Sequence, residues 1–161
     1  MTIDKSYIDL FHKVSVSAAY ASFHMVGKND KIAADKAAVD AMRNELNKID
    51  MNGQIVIGEG ELDEAPMLYI GEKLGSGNGP SLDIAVDPLE GTNFAANNLP
   101  GALSVIAVAE KSNLFNAPET YMDKIAIATN EKGMINMIKN RMLWVAWKFC
   151  KTIVLILLVF H

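Results

Sequence analysis

Three groups of acidic residues stand beside short apolar runs. Gly58-Glu59-Gly60-Glu61 follows Gln54-Ile55-Val56-Ile57, with Asp63 and Glu64 just beyond. Asp87-Pro88-Leu89-Glu90-Gly91-Thr92 follows Leu82-Asp83-Ile84-Ala85-Val86. Asp35 stands alone upstream. Carboxylates placed at strand ends and flanked by glycine can converge on a hard cation. Magnesium and manganese take oxygen ligands of this kind and keep several waters. Asp87 and Glu90 lie three residues apart across a proline-stiffened turn, so both can face one side. The Leu89 carbonyl sits between them as a third oxygen donor. Pro88 lacks an amide donor and is expected to stop the strand. Gly91 lets the chain turn tightly, and a helix starting there would offer free amides to an anion. A metal beside an anion seat is the equipment of phosphoryl hydrolysis, with a bound water made more acidic and the leaving oxygen stabilised. The plainer alternative is that Asp87 caps a short helix and Glu59 is solvated.

The elements that would hold these groups can be read from periodicity. Residues 6–26 predict a helix with Ile8, Phe11, Val14, Ala18, Tyr20 and Phe23 on one stripe and Gly27 as its stop. A second helix is expected from about Lys31 to Ile49, capped by Asp30, with Ala33, Ala37, Val39, Met42 and Leu46 inward. It would carry Asp35 one turn in. Asn52-Gly53 marks a turn, and 54–57 reads as a buried strand. Residues 67–74 suggest a short helix and 75–80 a flexible connection. Strands are expected at 82–86, 102–108 and 124–128, with a short helix at 91–98. Helices first and then strands imply a layered α/β or α+β domain.

Composition narrows the class. The chain has 161 residues, half of them hydrophobic and 21% charged, which is one globular domain rather than a disordered segment. A single cysteine, Cys150, excludes an internal disulfide framework and a cysteine-rich zinc site. No apolar stretch follows Asp4 and Lys5, so no signal peptide is expected, and the setting reads as cytoplasmic. Charge is uneven. Residues 131–161 carry five Lys/Arg and one acid, while the other residues carry ten Lys/Arg and 18 acids. An acidic body argues against nucleic acid as partner. It leaves room for a small phosphorylated substrate, because bound metal reverses the local sign. His12, His24 and His161 are too scattered for a metal site.

Ile55 to Lys73, IVIGEGELDEAPMLYIGEK, and Leu82 to Thr92, LDIAVDPLEGT, resemble the class II fructose-1,6-bisphosphatases. Some members of that family also act on sedoheptulose 1,7-bisphosphate. Asn116-Ala117-Pro118-Glu119-Thr120-Tyr121-Met122 resembles a further segment of it. The likeness runs from about residue 5 to about 128. It implies the layered sugar-phosphatase fold of the lithium-sensitive phosphatase superfamily. It implies hydrolysis of the 1-phosphate of fructose 1,6-bisphosphate with manganese or magnesium, in gluconeogenesis or the Calvin cycle. Carried onto this sequence, Asp35, Glu59, Asp87 and Glu90 match metal ligands. Asp63 and Thr92 match the pair that activates the attacking water. Glu90, Gly91, Thr92 and Tyr121 match substrate contacts. The resemblance also suggests a homo-oligomer.

The chain departs from that pattern in two places. Asn93 stands where members often carry a basic residue, which weakens the grip on phosphate. After about residue 130 the likeness fades into a basic, apolar tail, with no counterpart to the family's second half. Residues 1–130 therefore read as the N-terminal part of a sugar-bisphosphatase domain. Residues 131–161 read as a divergent tail of the kind a shifted reading frame produces. The run Ile153 to Phe160 is apolar without alternation. Lys148 and Lys151 argue against a membrane span, at about 2.5–3.5 kcal/mol for each lysine in mid-bilayer, and leave a buried helix or strand. Two alternatives to the bisphosphatase stand beside it. One is a truncated, inactive remnant that associates with a full-length subunit. The other is a phosphatase of the inositol-monophosphatase-like superfamily with a different small phosphomonoester.

Overall fold

The computed structural model describes residues 4–59 and 67–115, and the backbone of 154–159. Helix α1 spans Ser6–Phe23 and α2 spans Lys31–Leu46. Asp30 caps α2 as expected, its carboxylate accepting from the Ala33 N–H at 2.9 Å. A cap of this kind is worth about 1 kcal/mol. The two helices pack together, and small residues make up much of their buried faces: Ser15, Ala18 and Ser22 on α1, Ala34 and Ala38 on α2. The buried hydroxyls of Ser15 and Ser22 donate back to the His12 and Ala19 carbonyls, each at 3.0 Å. That bonding lets a polar side chain sit inside an apolar face.

The expected stripe on α1 is only partly right. Phe11, Val14 and Ala18 are buried, but Ile8, Tyr20 and Phe23 are 43%, 65% and 58% exposed. At 3.6 residues per turn, Tyr20 lies on the side opposite Phe11. On α2, Ala34 and Ala38 are buried in place of Ala33 and Ala37, alongside Val39, Met42 and Leu46 as expected.

Five strands form one mixed sheet: β1 (Asn52–Ile57), β2 (Lys73–Leu74), β3 (Ser81–Glu90), β4 (Leu103–Glu110) and β5 (Val154–Val159), in the order β2-β1-β3-β4-β5. β1 and β3 run parallel, and the other pairs are antiparallel. Burial alternates along β4, with Ser104, Ile106 and Val108 inside. α1 packs on β3, β4 and β5, and α2 on β3. One apolar cluster joins Phe11, Val14, Met42 and Leu46 to Ile55, Ile84, Val86 and Ile106. The result is a helical layer over a sheet, in line with the layered α+β expectation.

Two expectations about the elements are corrected. Residues 67–74 are not a helix but irregular chain ending in β2. Gly71, at φ 95°, holds a left-handed conformation that right-handed helix excludes. β3 does not stop at Pro88 but runs on to Glu90. The missing amide of Pro88 is absorbed by a register shift against β4 between Asp87 and Glu90. Residues 154–159 form a strand beside β4. Among the described residues no helix is long and apolar enough to cross a membrane. The strand expected at 124–128 lies outside the described residues.

Candidate active site

Glu59 leaves β1 through a contact only glycine permits. Its N–H donates to the Leu68 carbonyl at 2.9 Å. A Cβ on Gly58 would fall against that same carbonyl, well inside contact distance, and against the Ile55 side chain. Leu68 is fully buried and cannot yield. Gly58→Ala is expected to break the Glu59 bond and cost about 1–3 kcal/mol. Thermal denaturation of the variant measures this, and an unchanged midpoint would refute it.

Asp87 lies near the end of β3, partly buried. Its carboxyl is pushed up to about 8, first by burial, then by the hydrogen bond and charge of Glu90 and by the charge of Glu59. The nearby Leu89 backbone amide opposes this and favours the charged form. Three carboxylates therefore share one neighbourhood, and without a cation one of them holds a proton. Glu90 itself is solvent-exposed. Gly91 follows at φ 79°, where a Cβ would sit 3.0 Å from the Phe94 ring. It opens the five-residue helix α3 (Thr92–Ala96).

Asp35 projects from α2 into a cleft that Glu59, Met67 and Thr92 also line, with Lys31 and Lys36 at its side. Asp35 Oδ1 is buried with no hydrogen-bond partner among the described residues, and burial raises its pKa. Glu59 is thus common to both groupings: its charge acts on Asp87, and it shares the cleft with Asp35 and Thr92. The backbone of the α1–α2 turn ties the walls together. Gly27 N–H donates to the Ala95 carbonyl at 3.0 Å, and Asn29 N–H to the Ala96 carbonyl at 2.8 Å. α3, which carries Thr92, is thereby fixed to the start of α2, which carries Asp35.

The donors fit a hard divalent cation: all are oxygens, one is buried without a partner, and one acid is kept protonated by its neighbours. They do not close the shell alone. Among the described residues no three His, Cys, Asp or Glu side chains come together within metal-binding reach. Asp63 and Tyr121 lie outside the described residues.

Two features escaped the sequence reading. Lys31 lines the cleft one helical turn before Asp35, a spacing visible in the sequence once Asp35 is singled out. Arg43 holds the base of the site. Its Nε donates to Glu72 Oε1 at 2.7 Å, and its Nη2 to Glu72 Oε2 at 3.2 Å and to the Met67 carbonyl at 2.6 Å. It thereby fastens α2 to the segment whose Leu68 carbonyl receives Glu59. No local pattern signals a pair so distant along the chain.

Residues 6–146 match the family described as bacterial fructose-1,6-bisphosphatase, glpX-encoded. The chain belongs to that family. A relative from Prochlorococcus marinus strain MIT 9303, named D-fructose 1,6-bisphosphatase class 2/sedoheptulose 1,7-bisphosphatase, is 51% identical over 138 residues. That alignment covers 86% of this chain and 41% of the relative. A protein of the same name from Synechococcus strain CC9902 is 50% identical over 138 residues, with 86% and 41% covered. The chain thus spans about two-fifths of the length of the curated relatives it matches. The match to the glpX-type bisphosphatases takes in Asp35, Glu59, Asp63, Asp87, Glu90, Thr92 and Tyr121, and it runs through the charge change at residue 131. The layered fold is that of a partial sugar phosphatase.

Proposed function

We propose that this chain carries the metal-binding and water-activating part of a fructose-1,6-bisphosphatase site, releasing the 1-phosphate to give fructose 6-phosphate. The observation that carries the reading is that Glu59 lines a cleft with Asp35 and Thr92 and, together with Glu90, raises the pKa of Asp87 by its charge. Asp35, Glu59, Asp87 and Glu90 would hold manganese or magnesium. Bound there, the metal would supply Lewis acidity toward phosphate oxygens and a more acidic water. Asp87 would be ionised in the metal-loaded site, and Glu90 would offer a second carboxylate beside it. Thr92 offers a hydroxyl at the first position of α3, placed to pass a proton, and Asp63 would orient the water as base. Tyr121 would contact the sugar phosphate. Lys31 brings positive charge to a cleft lined by Asp35 and Glu59, where an anionic substrate would enter, while Lys36 beside it is paired with Asp40. In this reading the protein works in the cytoplasm on a soluble sugar bisphosphate.

Phosphate release from fructose 1,6-bisphosphate, with manganese, with magnesium and after chelation, tests the proposal. Release that needs metal supports it, and release indifferent to chelation refutes it. Lys31→Ala is expected to raise KM about tenfold with kcat little changed, since it attracts substrate without touching the reacting atoms. An unchanged KM would remove Lys31 from the site. A second reading is favoured by the incomplete carboxylate shell among the described residues: a chain that holds metal weakly and turns over only beside a longer subunit. Absence of release from folded chain that still binds manganese would select it.

A further inference from the structure

A second cavity lies behind the turn that carries Asp87 and Thr92. It has a volume of about 220 Å³ and is bounded by the end of α1, by α3 and by the loop that leads into β4. Phe23 and Val26 form one wall, Leu89 and Ala95 the other, and Leu99 and Ala102 close it. Its polar lining is confined to Ser22, Asn98 and backbone. The Ser22 hydroxyl is already committed to the Ala19 carbonyl. No charged side chain lines it.

We propose that this cavity is a binding site for a small uncharged aromatic molecule, and that its occupancy is transmitted to the catalytic turn through Leu89. Size and charge choose the occupant. A hydrocarbon-lined cavity of about 150 Å³ suffices for benzene, so this one admits a one- or two-ring system, whereas an α-helix is about 10 Å across. A sugar phosphate or nucleotide would be stripped of water here with no cation to meet it. Phe23 and Leu99 are 58% and 53% exposed, so the occupant's outer edge would also cover apolar surface now in water. The transmission is geometric. The Leu89 side chain is 2% exposed and lines the cavity, while its backbone stands two residues from Asp87 in the same strand end, where the Leu89 amide acts on the Asp87 carboxyl. Ala95 lines it from α3, whose first residue is Thr92, and its carbonyl accepts from Gly27. A molecule seated between Phe23 and Leu89 therefore presses on both ends of the turn. This inference rests on the fold and stands whether or not the chain hydrolyses phosphate.

The test titrates the full chain with indole, followed by amide resonances. The expected result is saturable one-site binding with a Kd below about 1 mM, with the Leu89 and Thr92 amides moving in step with Ala95. Ala95→Leu fills the cavity from α3 and should weaken binding at least tenfold. Val26→Phe fills it from the opposite wall and should do the same, so a folding failure in one variant leaves the other to decide. Circular dichroism checks that each is folded. No saturable binding to the folded parent, or binding unchanged in a folded filler, would overturn the site. Binding that moves Ala95 but leaves Leu89 and Thr92 still would overturn the transmission.

Discussion

Arg43→Ala is expected to lower stability by about 3 kcal/mol and the thermal midpoint by roughly 6–12 °C. The Arg43 and Glu72 side chains are only 25% and 11% exposed, so removing the guanidinium strands a nearly buried carboxylate. It also leaves the Met67 carbonyl without its donor. The charge itself is not what stabilises. Replacing both partners with leucine should restore most of the loss, because two apolar groups in that space leave no unpaired ion. A single variant within 1 kcal/mol of the parent would show the pair to be dispensable. The damage should also reach Glu59, because Arg43 steadies the segment that includes Leu68. Weakened manganese binding in a variant that remains folded would show this.

Asp87→Asn is expected to remove the response to metal. In the parent, manganese at a hundredfold over its Kd should add about 2.7 kcal/mol of stability. The variant should gain almost none, and any phosphate release should fall by about 10²–10³. The pH dependence of the metal-free chain follows from the raised carboxyl. Asp87 keeps its proton up to about pH 8 when folded, against 3.8 as a free side chain. Between those values the folded state binds the extra proton, so stability falls as pH rises. The contribution is whole below about pH 4 and lost above about pH 8. Asp87→Asn cannot ionise, so its stability should be flatter across that window. A parent that grows more stable from pH 4 to 8 without metal would contradict the carboxylate cluster. A variant that still gains stability from manganese would move the metal elsewhere.

Much of the site was legible because its signals are local. Glycines beside Glu59 and Glu90 mark places where the chain turns or passes close, and Asp30 three residues before Ala33 names a cap. What stayed illegible depends on distance. Nothing near Arg43 announces Glu72, and nothing near Gly27 announces Ala95, because such pairs exist only once the chain has folded. Pro88 misled for a related reason. The local expectation was that the strand would stop there, yet a bulge against β4 let it absorb the proline. The stripe on α1 failed at Tyr20 because apolar character was counted without its angle. The helix expected at 67–74 failed because Gly71 needs a left-handed turn that apolar content does not reveal.

The two kinds of strand pairing bear on the order in which the molecule assembles. β3 and β4 are joined through residues 91–102, whereas the parallel pairing of β1 with β3 must close over residues 58–80. Loop closure grows costlier with length, and distant pairings form later. The β3–β4 hairpin, with Asp87 and Thr92 on it, is thus the natural nucleus, and Glu59 docks onto a turn already in place. Damage at Glu59 would then chiefly hasten unfolding, while damage at the bulge would slow folding itself.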